Sequence, residues 1–362
     1  MSALLLSPAN RFWLLLALCL LGFGLLYAVV RDAGRGARRR GLQKRLAALD
    51  EPAADAGGTA LALEQLKESM AQAQQAMRRA PWASPSAPVP WFLFFGDASA
   101  NLAGLFATAH AERADAASGA GWWHWWLTRR LVAVEIDAGA AGTPQAHSVW
   151  LQSLLALAER RDRLPLNGLV VAVAASDLLD AEATELESLA ARTRRLLGEA
   201  SDGLRLQMPA YLVVTGLERL PGYTTLRGAL PPEVLSQALG HRLADLSAFM
   251  DTPAGERLDA VFEPLAQQLH ALRMSLLREQ PGSSGRLAIH EFVEAVRALQ
   301  PGLRRFAQVL FENQVKGPRA PRWRGLYLTA SASDGAGGAF VHDLFEHFLP
   351  VDQPLVRPGR PQ

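Results

Sequence analysis

The sequence has 362 residues, is 49% apolar and 20% charged, and holds a single cysteine, which excludes both a disordered chain and a disulfide-stapled miniprotein. Cys19 alone cannot form an intrachain disulfide, and no cysteine-based metal site can be built. The net charge of +2 hides a split: positions 31–45 carry seven basic residues (Arg31, Arg35, Arg38, Arg39, Arg40, Lys44 and Arg45) against Asp32, leaving 30 basic and 34 acidic residues elsewhere, a mildly acidic body unsuited to nucleic acid.

After a short tail, residues 1–11, the stretch 12–30 (FWLLLALCLLGFGLLYAVV) has no charge. As a helix its 19 residues would be about 28 Å long, close to the hydrocarbon thickness of a bilayer. A signal peptide would place its charge before the apolar run and a small-x-small cleavage site after it; here the charge follows. Only Arg11 precedes the run and the basic block follows it, so the positive-inside rule places everything beyond it in the cytoplasm, with the arginines near lipid head groups. Residues 31–60 then read as a basic juxtamembrane segment and linker. Residues 61–79 repeat Leu63, Leu66, Met70, Ala73 and Met77 at helical spacing, as in an amphipathic stalk, and the four prolines of 80–90 close it.

From Trp91 the pattern changes. Short apolar runs at 91–95, 131–136 (interrupted by Glu135), 168–174, 210–214 and 325–329 suit strands covered on both faces. The stretches at 99–111, 146–160 and 181–198 are long enough for crossover helices. This order predicts an α/β fold, a doubly wound, mainly parallel sheet of P-loop NTPase-like type, with its core at 91–229. The interval 230–315 shows long helical periodicity (234–250, 256–278 and 289–311) and no convincing strand, as in an inserted helical subdomain. Residues 316–362 supply the last strand, a terminal helix and a tail.

In such a fold a ligand binds at the carboxyl ends of the strands, starting with the first strand-to-helix turn. That turn is Gly96-Asp97-Ala98-Ser99-Ala100-Asn101-Leu102-Ala103. A phosphate-binding loop would read G-x-x-x-x-G-K-[ST]. Here Gly96 is in place, but Asn101 stands for the second glycine, Leu102 for the lysine and Ala103 for the Mg²⁺-binding hydroxyl, while Asp97 adds repulsion. Asp137, ending the second predicted strand, could reach Mg²⁺ through water or could simply cap a turn. Thr215-Gly216-Leu217-Glu218 follows the fourth strand, where a guanine-reading [NT]-K-x-D would need lysine at 216 and aspartate at 218. Three stations in order, each eroded, predict a degenerate nucleotide site of Gly96, Asp97, Ser99, Asn101, Leu102, Ala103, Asp137, Thr215 and Glu218, without catalytic residues.

Other constellations carry less. Trp122, Trp123, Trp125 and Trp126 around His124 suit packing at the start of the second strand, with His124 at the surface. His342 and His347 are five apart and the histidines show no HExxH, so no metal site is expected. Ser99 and Ser176 lack a G-x-S-x-G context. Asp177 suits a helix cap with Ser176, and Glu182, Glu185 and Glu187 suit a solvated helix start.

Several blocks resemble the IcmF/TssM family of type VI secretion inner-membrane proteins: Pro90-Trp91-Phe-Leu-Phe-Phe-Gly96, Trp125-Trp126-Leu-Thr128, Leu164-Pro-Leu-Asn167-Gly168 with the strand that follows it to Asp177, Met208-Pro to Tyr223, and Arg324-Gly-Leu-Tyr327-Leu-Thr329-Ala-Ser331. Asn167-Gly168 and Leu220-Pro-Gly-Tyr223 are the most specific. The resemblance covers about residues 80–357. Members usually add a membrane hairpin, a third span and a long periplasmic region, so a short and degenerate form is expected.

The resemblance implies a membrane-anchored, noncatalytic scaffold of a type VI secretion membrane complex, single-pass in the bacterial inner membrane with its C-terminal domain cytoplasmic. It implies contacts with other membrane-complex and baseplate proteins and with lipid, and no cofactor. One alternative is a working GTPase or ATPase with Mg²⁺, using Asp137 for the metal and Arg129 or Arg130 for charge stabilisation. Another is a regulatory paralogue competing with a full-length relative.

Overall fold

The computed structural model describes residues 8–48, 56–80, 89–114, 123–137, 144–161, 164–243, 252–280, 282–311, 319–332 and 337–358. In chain order the strands are β1 (Trp91–Gly96), β2 (Glu112–Arg113), β3 (Trp123–Leu127), β4 (Val132–Asp137), β5 (Gly168–Ala174), β6 (Leu206–Gln207), β7 (Pro209–Thr215), β8 (Leu239–Arg242), β9 (Arg322–Leu328) and β10 (Arg357–Pro358). Eight of them form one sheet in the order β2-β3-β4-β1-β5-β7-β9-β8, and β6 pairs with β10. The five central strands β4, β1, β5, β7 and β9 are parallel. Both edges are antiparallel. The α/β, mainly parallel expectation holds at this level.

The sequence makes the centre a two-sided sheet. Every residue of β1, β5 and β7 is buried, so the strand must be covered above and below. Trp91, Leu93 and Phe95 face one layer, and Phe92 and Phe94 the other. The first layer is thick: α4 (Pro144–Arg160), α6 (Ala183–Leu204), α9 (Ala254–Glu279), α10 (Ser283–Ala298) and α11 (Gln300–Phe311) all feed its core. The second is thin, supplied by α3 (Leu102–Thr108) and by the turn Leu344–Phe348 that runs into α12 (Leu349–Val351). Phe94 packs edge-on to Phe106 of α3 and stacks on Phe345.

Four local expectations are corrected. The interval 230–315 does hold a strand, β8, where Gly240 lies so close to β9 that a Cβ would run into the Leu326 carbonyl and the Tyr327 ring. The helix expected over 234–250 is replaced by the five-residue α8 (Pro232–Ser236) and β8, with 244–250 outside the described residues. The expected helix 289–311 breaks at Leu299, because Pro301 has no N–H for a continuing ladder. The tryptophan cluster forms a strand of its own, β3, antiparallel to β4; Trp122 lies outside the described residues.

The N-terminal segment is not a spacer. Helix α1 runs unbroken over Pro8–Ala47, and α2 over Ala56–Arg79. Leu66, Met70 and Ala73 of α2 are buried in the main core. Leu42 of α1 is fully buried and lies over Gly203 of α6, where a Cβ would sit 2.9 Å from its Cδ2. Arg38 is buried, and Arg45 reaches Asp202 at 3.9 Å. Residues 49–55 of the expected linker and most of the proline-rich stretch, 81–88, lie outside the described residues. So do the side chains at 27–35, which include the end of the expected span. Among the described residues no helix is long and apolar enough to cross a membrane. The described apolar part of α1, residues 12–26, is exposed throughout, with Phe23 at 75%.

The C-terminal segment is held by a buried charge cluster. Asp352, 2% exposed, accepts hydrogen bonds from Tyr211 Oη (2.7 Å) and Arg324 Nε (3.0 Å) and pairs with Arg242. Beside it, burial pushes the Tyr327 hydroxyl up to about 12. In the unfolded chain that phenol ionises near 10. Its contribution to stability is therefore intact below pH 10 and is lost as pH rises through 12, on the order of 2–3 kcal/mol. Denaturant midpoints should fall between pH 9.5 and 12, and Tyr327→Phe should make that slope shallower while leaving the part due to the buried Tyr211 and Tyr223.

Candidate functional site

The chain moves from β1 outward to β4 on one side and then returns to β5 on the other, so the crevice of the sheet opens above the carboxyl ends of β1 and β5. The strand ends meet at one rim: Gly96 pairs with Asp137, and Ala174 with Thr215. The loop after β1 crosses this rim. Ala98–Ala100 form one 3-10 turn, and Asn101 then takes a left-handed conformation (φ 45°, ψ 55°). Asparagine tolerates that region better than most residues, and its side chain is used as a cap, accepting the Gly104 N–H at 3.2 Å.

The loop is closed from within. Leu102 folds back over Gly96, where a Cβ would sit 3.0 Å from its Cδ1, and both Leu102 and Ala100 are buried. Ala103 is exposed. Ser99 Oγ donates to Asp177 Oδ2 at 2.6 Å, across 78 residues of sequence. Arg192 of α6 donates to Asp97 Oδ2 at 3.3 Å, so a neighbouring cation offsets that negative charge. Ser99 and Asp97 are thus engaged by Asp177 and Arg192. The helix that follows, α3, is seven residues long.

Asp177 corrects the capping expectation. It lies in the first turn of α5 (Ala175–Asp180), whose N-cap position is Ala174; Ser176 approaches its Oδ1 at 3.5 Å while Oδ2 serves Ser99. The Ser99–Asp177 link was not legible in sequence, since neither residue sits in a motif that names the other. Glu182, Glu185 and Glu187 are exposed at the start of α6, as expected.

The remaining stations have structural partners. Thr215 is buried, with its hydroxyl 3.5 Å from the Val173 carbonyl. Glu218 turns away from the crevice and accepts the Ser331 backbone N–H at 2.9 Å, tying the loop after β7 to the loop after β9. Asp137 ends β4 at the rim; its side chain lies outside the described residues. Arg129 and Arg130 sit in the turn before β4, at the opposite end of that strand, about 20 Å from Asp137 along it. Arg130 pairs there with Glu346 at 3.4 Å. They do not join the rim, which removes them as the charge-stabilising arginines of a nucleotide site.

The most specific sequence blocks also have a structural use. Asn167 clamps the start of β1, accepting the Trp91 N–H (2.9 Å) and donating to the Trp91 carbonyl (2.7 Å). Arg161 lies 4.8 Å over the Trp91 ring, and burial lowers its guanidinium to about 10. Gly222 (φ 77°) meets the Ala288 carbonyl of α10, and Tyr223 Oη donates to the Gly337 carbonyl at 2.7 Å. Trp125 packs edge-on to Trp91, while Trp126 stacks on Phe106 and donates to Glu135 at 2.7 Å. His124 is half-buried beside Arg113. His347 contacts Asp343 rather than His342, and among the described residues no group of three or more side chains could hold a metal.

Residues 144–362 match the family model of the IcmF-related N-terminal domain. The type VI secretion system component TssM1 of Pseudomonas aeruginosa is 27% identical over 311 residues, covering 80% of this chain and 28% of the relative. The chain therefore spans little more than a quarter of the length of that curated relative. No solved structure matches it.

Proposed function

The chain belongs to the IcmF/TssM family, and from that premise we propose that it acts as a membrane-anchored, noncatalytic scaffold within a type VI secretion membrane complex. The observation that carries this reading is the self-satisfied loop at the sheet rim. Where a triphosphate would need a lysine and a hydroxyl, Leu102 packs over Gly96 and Ala103 has nothing to offer, while Ser99 and Asp97 are held by Asp177 and Arg192. Opening this loop for a nucleotide would break two polar links and expose a buried leucine.

Anchoring is supported by the exposed apolar flank of α1. Residues 12–26 present a helix surface of Phe, Trp and Leu side chains that water would not tolerate bare, and lipid is the occupant that suits the whole circumference. The body then presents its surfaces to other components of the secretion membrane complex and baseplate.

The test is calorimetric. The detergent-solubilised chain titrated with ATP or GTP in Mg²⁺ should give no saturable heat, and Leu102→Lys should not create binding, because Asn101 and Ala103 still lack their roles. Micromolar, Mg²⁺-dependent binding by the unaltered chain would replace the scaffold reading with an NTPase.

A further inference from the structure

We infer that the cavity between α7 (Tyr223–Ala229), α8 and the segment 338–342 is a binding site for a carboxylate carried on an apolar body. The cavity has a volume of about 450 Å³, within the range of small-ligand sites. No residue of the degenerate loop lines it. Its walls are Leu230, Pro232, Leu235, Ala339 and Val341, an apolar body-binding surface.

The polar groups define the charge. Arg227 and His342 line the cavity, and among the described residues no acidic side chain does. Arg227 forms no ion pair among the described residues, and its Nε is buried without a hydrogen-bond partner. The guanidinium lies against the Gly337 backbone, where a Cβ would collide with it. Its neighbour Tyr223 offers no counter-charge, since burial raises that hydroxyl to about 12; the phenol donates to the Gly337 carbonyl and its oxygen accepts one hydrogen bond from Arg227. The hydroxyls of Thr108 and Ser236 also line the cavity but already donate, to Gly104 and Glu233, so they can only accept. Among the described lining residues the positive charge is the Arg227 guanidinium, which has donors beyond the one given to Tyr223, and a carboxylate is the anion that suits a guanidinium.

Two sources present this chemistry: a free carboxylic acid, or an acidic residue beside an apolar one in a partner chain. The site does not depend on the scaffold reading, because it is separate from the nucleotide crevice. The test uses the full chain in detergent and two probes, 3-phenylpropanoate and acetyl-Glu-Phe-amide, read by saturation-transfer NMR, with 3-phenylpropanamide as the neutral control. The carboxylate probe should bind at least about tenfold more tightly than the amide. Arg227→Gln should remove that preference, and Ser236→Trp, which blocks the cavity without touching the guanidinium, should remove binding. Binding of the dipeptide as well assigns the site to a partner segment; binding of the free acid alone assigns it to a small metabolite. Equal binding of acid and amide, unchanged binding in Ser236→Trp, or no binding of either acid at millimolar concentration overturns the assignment.

Discussion

Replacing Asp352 by alanine should lower the unfolding free energy by about 3–5 kcal/mol, the range for removing one partner of a buried ion pair. The carboxylate is 2% exposed and serves Tyr211, Arg324 and Arg242 together. Without it two guanidinium groups are left close together in a largely buried pocket, Arg324 10% and Arg242 27% exposed. Burial and the neighbouring Arg242 already hold the Arg324 guanidinium below its ordinary value, so the pair has little tolerance for losing its anion. Because domains are typically stable by 5–15 kcal/mol, a large part of the total would go. Urea unfolding in detergent measures it. Asp352→Asn, which keeps the acceptor oxygen, should lie between alanine and the parent. A loss below about 1 kcal/mol for alanine would mean that the arginines swing out to solvent, and the cluster would then hold nothing.

The second large effect is expected at Gly222. Its φ of 77° is left-handed, and a methyl group there would run into the Ala288 carbonyl. Gly222→Ala should cost about 2–4 kcal/mol, combining the left-handed penalty with forced separation of α7 from α10. Gly198 is the matched control. It lies within α6 with open space around its Cα, so Gly198→Ala should be stabilising by roughly 0.5–1 kcal/mol. The two substitutions add the same atom, and thermal unfolding should separate them in sign.

The central strands were legible because burial on both faces leaves short apolar runs: 168–174 was read with the bounds of β5, and β1, β4, β7 and β9 within a few residues. The edges were not. In β3, Trp123-His-Trp-Trp-Leu127 alternates between two differently filled faces, and nothing in those five residues says which strand they accompany. In β8, Leu239-Gly-His-Arg242 has no β-branched residue, and its pairing depends on a glycine lying flat on β9 rather than on strand propensity. At the rim, the eroded positions could be read from spacing, whereas the contacts that replace phosphate could not. Ser99 finds Asp177, and Asp97 finds Arg192, only once the sheet has brought β1 beside β5. The docking of α1 and α2 was hidden for a related reason. Met70 looks like ordinary amphipathic spacing, and Leu42 lies in what reads as a basic linker, until α4 and α6 supply the surface they cover.

The uninterrupted α1 makes the protein a lever. From the middle of its exposed apolar stretch to Leu42, seated over Gly203, the helix covers about 35 Å without a joint. A 10° change of tilt at one end displaces the other by about 6 Å. Motion imposed on either end is thus delivered to the other as rotation, in a direction set by how the last turns of the rod are wedged against α4 and α6.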